Sequence, residues 1–320
     1  MHSNSYEPST GTARNAIIAR RGRAVIVGAA LAFGATACTV ERAQAPASTG
    51  SPAVAFDASA WKPPAESEIP ADSLGASIRR GLALIRFTPE SLPKYITSNM
   101  RCVSCHENDG TKVTAAPLTG SHARFPKYLS RSGSVITLAD RVNFCMTRSL
   151  AGAALPVDSR EMDDILAYLA FISRDVPVGR KLTAADGLLP MKDTLVGDTL
   201  RGHTLFTATC AVCHQADGAG HSPIPALWGA GSFTIAASMA RQERAASFIV
   251  HNMPQTAPGT LSDQDAFDLA AYIDSHPRPD APLKENDWPH GGAPRDVPYA
   301  TKGHAAFNPP ARLVPRTTGH

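Results

Sequence analysis

The chain is predicted to be all-α, with two small helical units in tandem, and three observations predict it. The pentapeptide Cys-x-x-Cys-His occurs twice, at residues 102–106 and 210–214. Each copy lies between an opening and a closing segment whose apolar residues recur at helical spacing. The third observation is a shared offset. Cys145 follows His106 by 39 residues (145 − 106), and Met253 follows His214 by the same number (253 − 214).

In this pentapeptide two thiols form thioethers with haem vinyl groups, and the His becomes the proximal iron ligand. A zinc site would need a second ligand pair, and no other Cys-x-x-Cys pair exists. A thioredoxin-like dithiol would need a βαβ pattern, which is absent. The cofactors expected are therefore two covalently bound haem c, attached through Cys102, Cys105 and His106 and through Cys210, Cys213 and His214. The fold expected is two cytochrome c-type haem domains in tandem, with irregular N- and C-terminal segments. A 320-residue chain suits about two domains, and an aromatic content of 6% suits small domains in which porphyrin fills the core.

The elements follow in order. Residues 1–37 read as an export signal: Arg20, Arg21 and Arg23 precede an apolar run, Ala24 to Ala37, too short for a permanent membrane span. Ala35-Thr36-Ala37-Cys38 resembles a weak lipobox, so Cys38 is a candidate lipid anchor. The other reading is a chance Cys beside an ordinary cleavage site. Residues 38–70, rich in Ala, Ser and Pro, read as a flexible tether. The first haem domain is expected over 71–176, opening on the stripe Leu74, Ile78, Leu82 and Ile85. It closes on a helix through Met162, Ile165, Leu166, Leu169 and Ile172, started by Asp158-Ser159-Arg160-Glu161. A linker is expected over 177–196. The second haem domain, 197–276, opens with Leu200, Leu205 and Phe206 and closes with Phe267, Leu269, Ala270 and Ile273 after Ser262-Asp263-Gln264-Asp265. Tyr168 and Tyr272 hold similar places in the closing helices. Residues 277–320 read as a Pro-rich extension.

Charge gives no reason to expect a nucleic-acid partner. The net +3 belongs to residues 1–37, which hold four Arg and one Glu; the remainder has 27 basic (31 − 4) and 27 acidic (28 − 1) residues.

The two distal ligands differ in chemistry. Met253-Pro254 has the usual context of a methionine ligand, giving a His214/Met253 pair; His251 is a competitor two residues earlier. The first unit puts a thiol, Cys145, at the corresponding place, with neighbouring Met146 as the alternative, because consecutive residues point in different directions. Iron coordination would hold Cys145 as thiolate. Arg131 and Arg141, 14 and 4 residues before Cys145, suit a small oxyanion, since guanidinium forks bind sulfonate oxygens in pairs. Arg148 and Arg124 remain alternatives. Ser149, one turn beyond Cys145, is a candidate hydrogen-bond donor or an ordinary polar residue.

Several stretches resemble the di-haem cytochrome c thiosulfate dehydrogenase family, which forms tetrathionate. They are Ala116-Pro117-Leu118, Ala123 to Tyr128 with Arg131-Ser132-Gly133, Val135 to Leu138, the Cys145 segment, Asp287 to Gly292 and Asp296 to Tyr299. The resemblance covers roughly residues 70–300. It implies a periplasmic enzyme whose first haem is ligated by His106 and Cys145 and is the active site. Arg131, Arg141 and Ser149 would bind substrate, and the second haem would be ligated by His214 and Met253. Some relatives carry Lys before this Met and exchange ligands with redox state; Asn252 stands there in this chain. The reaction implied is 2 S2O3(2−) → S4O6(2−) + 2 e−, run in either direction, with electrons passing to an acceptor cytochrome c. A plain di-haem electron carrier and a haem c thiosulfotransferase subunit are the other functions kept open.

Overall fold

The computed structural model describes residues 56–182 and 187–306. The export signal, Cys38, the first part of the tether and residues 307–320 lie outside the described residues.

Each unit rests on one crossing of its opening and closing helices. In the first, α1 (Ser73–Arg86) is capped by Asp72, which accepts from Gly75 N, and presents Ile78, Leu82 and Ile85 to the core. Leu74 does not follow that stripe and is 57% exposed; in the first turn it is Gly75 that is buried, against the Pro70 backbone. A short helix, α2 (Leu138–Phe144), precedes Cys145. The closing helix α3 (Arg160–Phe171) is capped by Ser159 and buries Met162, Ile165, Tyr168 and Leu169. In the second unit α4 (Thr199–Leu205) opens under Asp198; Leu200, expected inside, is 68% exposed on its first turn. Next come α5 (Gln242–Asn252) and α6 (Asp263–Asp274), the latter started by a full Ser262/Asp265 capping box.

The crossings are built alike. Gly81 of α1 lies so close to α3 that a Cβ there would sit 2.0 Å from the Asp164 carbonyl oxygen. Gly202 of α4 stands in the same relation to Asp268 of α6, also at 2.0 Å. A mid-helix glycine costs about 1 kcal/mol relative to alanine, so its use at both crossings marks where the backbones must touch. Beside each glycine an arginine grips the opposing acid: Arg80 forks onto Asp164 with two 2.7 Å bonds, and Arg201 reaches Asp265 at 2.8 Å and Asp268 at 3.2 Å. Tyr168 and Tyr272 pack beside the same glycines.

Two segments depart from the sequence-based expectation, and a third, irregular as expected, is packed down. The all-α chain includes one antiparallel hairpin, β1 (Lys127–Leu129) with β2 (Ser134–Ile136), and Arg131 sits in its turn. Residues 56–70, read as tether, lie on the first unit: Trp61 Nε1 donates to the Arg174 carbonyl at 3.0 Å and Ile69 is buried. The extension from 277 to 306 has little regular structure, yet Trp288, Val297 and Tyr299 are buried against Ala236 and Ala281. None of the described helices is long and apolar enough to cross a membrane.

Candidate functional site

Helix α2 starts at a Thr137/Asp140 capping box and ends by widening into a π-helical turn over Cys145–Ser149, closed by Leu150 N donating to the Cys145 carbonyl at 3.0 Å. Such turns recur at functional sites because the extra residue re-aims side chains without ending the helix. Asn143 pins the turn by exchanging two hydrogen bonds with the backbone of Leu155.

The π-turn brings Cys145 and Ser149 to the wall of a cavity that also contains Cys102, Cys105 and His106. Met146 lines it too, but is only 2% exposed and packs in the first unit's apolar core. It is Cys145 whose sulfur faces the His106 ring and takes a 3.0 Å hydrogen bond from Arg141 Nη1, one turn earlier. Burial pushes the Cys145 thiol up, but Arg141 and His106 outweigh it and bring it down to about 6. Burial pushes Cys102 up to about 11 and Cys105 up to about 12, with no guanidinium to oppose it.

The second cavity, about 490 Å³, is lined by Cys210, Cys213, His214 and Met253, with Leu269 and Ile273 from α6. His251 is not on its wall; its Nδ1 lies 2.7 Å from the Ser247 carbonyl of its own helix. Cys105 and Arg101 line both cavities, so the two share a wall.

Both proximal histidines are oriented in one way. His106 Nδ1 donates to the Ala116 carbonyl at 2.5 Å, and His214 Nδ1 to the Pro225 carbonyl at 3.0 Å. Committing Nδ1 to a carbonyl leaves Nε2 as the ligating nitrogen. Paired thiols, an oriented imidazole and apolar walls are the donor set a haem c requires, and both sites fit it.

The arginines separate. Arg141 is at the cleft. Arg131, on the hairpin turn, is turned towards the C-terminal segment: its Nε and Nη2 donate to Asp287 at 2.9 and 2.8 Å. Nη2 also reaches the Ala236 carbonyl at 2.6 Å and the Tyr299 hydroxyl at 2.7 Å, and the guanidinium lies over Trp288. Arg148 Nη2 meets the other oxygen of the same carboxylate at 2.7 Å. No bond between Arg131 and Cys145 is seen. Reading the spacing alone missed Asp287 and Tyr299, which stand 156 and 168 residues beyond Arg131.

Asn252, noted in the sequence only as the residue before Met253, has partners the sequence did not point to. It is fully buried; its Oδ1 accepts from Thr114 Oγ1 at 2.7 Å and its Nδ2 donates to the Thr114 carbonyl at 3.1 Å. It ties the residue before Met253 to the loop carrying the Ala116 carbonyl.

Residues 94–178 match the model of the SoxA/TsdA cytochrome c domain, and residues 200–277 that of cytochrome c. The chain therefore has two tandem cytochrome c domains and two covalently bound haem c. It is 40% identical over 242 residues to the thiosulfate dehydrogenase of Psychrobacter arcticus, covering 74% of each chain. The chain belongs to the thiosulfate dehydrogenase family. Its similarity to the thiosulfate dehydrogenase of Allochromatium vinosum is also 40%, over 226 residues, 68% of this chain and 83% of that one. Among solved structures, thiosulfate dehydrogenase (TsdBA) from Marichromatium purpuratum superposes with a TM-score of 0.67 at 28% identity. The match covers 77% of this chain and 58% of that one, so this chain spans a little over half of that protein.

Proposed function

We propose that this protein oxidises two thiosulfates to tetrathionate at the first haem and passes two electrons through the second to an acceptor cytochrome c. The observation that carries this is the acidic Cys145 thiol, held between Arg141 and His106 in a cleft with Ser149. His106 and Cys145 would hold the first iron, His214 and Met253 the second, with thioethers at Cys102, Cys105, Cys210 and Cys213. When bound, the haems would supply an electron sink at the cleft and a second redox centre in the neighbouring cavity, Arg101 and Cys105 lining both.

Cys145 acts as nucleophile and as leaving group. Its thiolate and the outer sulfur of one thiosulfate form an S–S bond: Cys-S(−) + S2O3(2−) → Cys-S-SSO3(−) + 2 e−. The second thiosulfate attacks the outer sulfur of that bond and releases tetrathionate and the thiolate, with no proton transferred. A thiolate near pKa 6 leaves well at neutral pH. The covalent route also lowers repulsion. At about 5 Å and an effective dielectric of about 20, two dianions repel by ~13 kcal/mol, whereas a dianion and the monoanionic adduct repel by ~7 kcal/mol. Arg141 offsets the rest at the cleft. Arg131 and Arg148 share the Asp287 carboxylate off the cleft wall, so their cluster would act on the sulfonate only through its one net positive charge, while Ser149, on the wall, would donate to it.

Purified di-haem protein given thiosulfate and ferricyanide tests the reading. Tetrathionate and a thiosulfate-bearing Cys145 peptide by mass spectrometry are expected. A plain carrier would give neither product, and a thiosulfotransferase would need a partner protein to turn over. Export to the periplasm agrees with haem c attachment; labelled-lipid incorporation that is lost in Cys38→Ala tests the anchor.

A further inference from the structure

The residues just before the first haem's attachment motif brace the two haem sites against each other. Ser98 Oγ donates at 3.2 Å to the carbonyl of Leu150, the residue that closes the π-turn of Cys145. Arg101 Nη2 donates to Ser222 Oγ of the second haem domain at 2.8 Å. Between them, Asn99 commits both ends of its amide to that same second-domain loop. Its Nδ2 donates to the Ile224 carbonyl at 3.2 Å, and its Oδ1 accepts from Ala226 N at 3.3 Å.

Those two bonds bracket Pro225, whose carbonyl accepts from His214 Nδ1 at 3.0 Å. Residues 223–227 also form part of the second cavity's wall. Proline has no N–H, so Pro225 cannot be pinned by a bond of its own, and its carbonyl is aimed through its neighbours. Ala226 is 2% exposed; its N–H needs a partner inside the protein, and Asn99 supplies one. The other proximal histidine is held in mirror fashion. Asn252, of the second domain, grips Thr114, two residues before the Ala116 carbonyl that takes His106 Nδ1. Each histidine is oriented by a loop that the opposite domain holds.

We propose that Asn99 is a positioning residue for the second haem: from the first domain it aims the Pro225 carbonyl at His214, so that the second haem's redox behaviour depends on contact with the domain where substrate reacts. The inference rests on His214 and Met253 being the second haem's ligands. A bond from Nδ1 to a carbonyl makes the imidazole a stronger donor to iron and favours the ferric state. Loosening Pro225 weakens that bond and makes the second haem easier to reduce. Opening the contact to water does the reverse, because water stabilises the more highly charged ferric haem. The sign of the shift therefore separates positioning of the histidine from simple opening of the interface.

The test is a spectroelectrochemical titration of the full di-haem protein. The near-infrared bands of a methionine-ligated and a thiolate-ligated ferric haem let the two be followed separately. In Asn99→Ala the reduced-to-oxidised ratio of the second haem at a fixed potential is expected to rise about threefold, a shift of ~30 mV at about 59 mV per decade, with a smaller change at the first haem. Asn99→Gln keeps both amide groups and should recover part of the shift. Arg201→Ala is the control: it breaks the helix crossing of the same domain away from the loop and should lower the melting temperature while leaving the second haem's potential alone. A second-haem potential that is unchanged or lowered in Asn99→Ala, or a shift as large at the first haem, would overturn the proposal. A methionine band that survives Met253→Gly would instead sink the ligand assignment on which it rests.

Discussion

Replacing Asp287 with Ala should destabilise the protein and weaken thiosulfate binding together. The carboxylate is 4% exposed and joins two guanidiniums that are only 15% and 16% exposed. Tyr299, whose phenol burial pushes up, donates to it at 2.6 Å. Without it, Arg131 and Arg148 become adjacent, largely buried like charges, and the Tyr299 hydroxyl loses its acceptor. Removing one partner of a buried ion pair costs about 3–5 kcal/mol, and the two arginines share one carboxylate, so the figure is not doubled. For a domain pair of this size each kcal/mol shifts the melting temperature by roughly 2–4 °C, so a fall of roughly 6–20 °C is expected in a thermal melt followed by far-UV circular dichroism. Asp287→Asn keeps an acceptor and should lose about half as much. Thiosulfate KM should rise about tenfold in both, because the hairpin turn no longer holds Arg131. Asp296→Asn is the control: it breaks an equally buried pair with Arg241 in the same segment and should lower the melting temperature while sparing KM. A melting temperature within about 2 °C of wild type in Asp287→Ala would refute the ion-pair reasoning. Unchanged KM alongside a large destabilisation would remove Arg131 from substrate binding.

The remaining predictions concern the ligands, the cleft and the helix crossing. Cys145→Gly should retain both haems, since attachment uses other cysteines, and abolish tetrathionate formation; Cys145→Met should raise the first haem's potential in a redox titration and still lose most turnover. Met253→Gly should slow reoxidation by the acceptor while leaving thiosulfate binding intact, and the reverse outcome would mean that the haems have been assigned the wrong way round. Arg141→Ala should cost one to two decades in kcat/KM, roughly the 1.5–3 kcal/mol of a charge-assisted hydrogen bond, with Arg141→Lys recovering part of it. Burial raises the Asp164 carboxyl, but Arg80 and Ser77 outweigh it and hold it below its usual value. Its contribution is therefore present above the unfolded pKa and fades as pH falls through the lowered one. Arg80→Ala should melt below wild type at neutral pH, and that gap should close once the medium is acid enough to protonate Asp164 in both proteins.

Features whose physics is local were legible along the chain. Haem attachment is a five-residue reaction site, and helix caps such as Ser262/Asp265 act over three residues. The amphipathic stripes of α1, α3 and α6 repeat every turn, and the Cys145 and Met253 offsets lie within single units. The stripes failed at Leu74 and Leu200, where the inward places of the first turn are taken by Gly75 and by Thr199. Choices between neighbours required the fold. The shared offset points to Cys145 and leaves its neighbour Met146 as the alternative; the π-turn aims the first at His106 and sinks the second among core side chains. Glycines at 81 and 202 look like helix weaknesses until α3 and α6 are placed against them. Arg131 looks like a free substrate contact until chain closure delivers Asp287 and Tyr299, and Asn252 meets Thr114 only when the two units pack. A buried polar group must find its partner wherever the fold brings one, and no periodicity in the sequence encodes a pairing across more than a hundred residues.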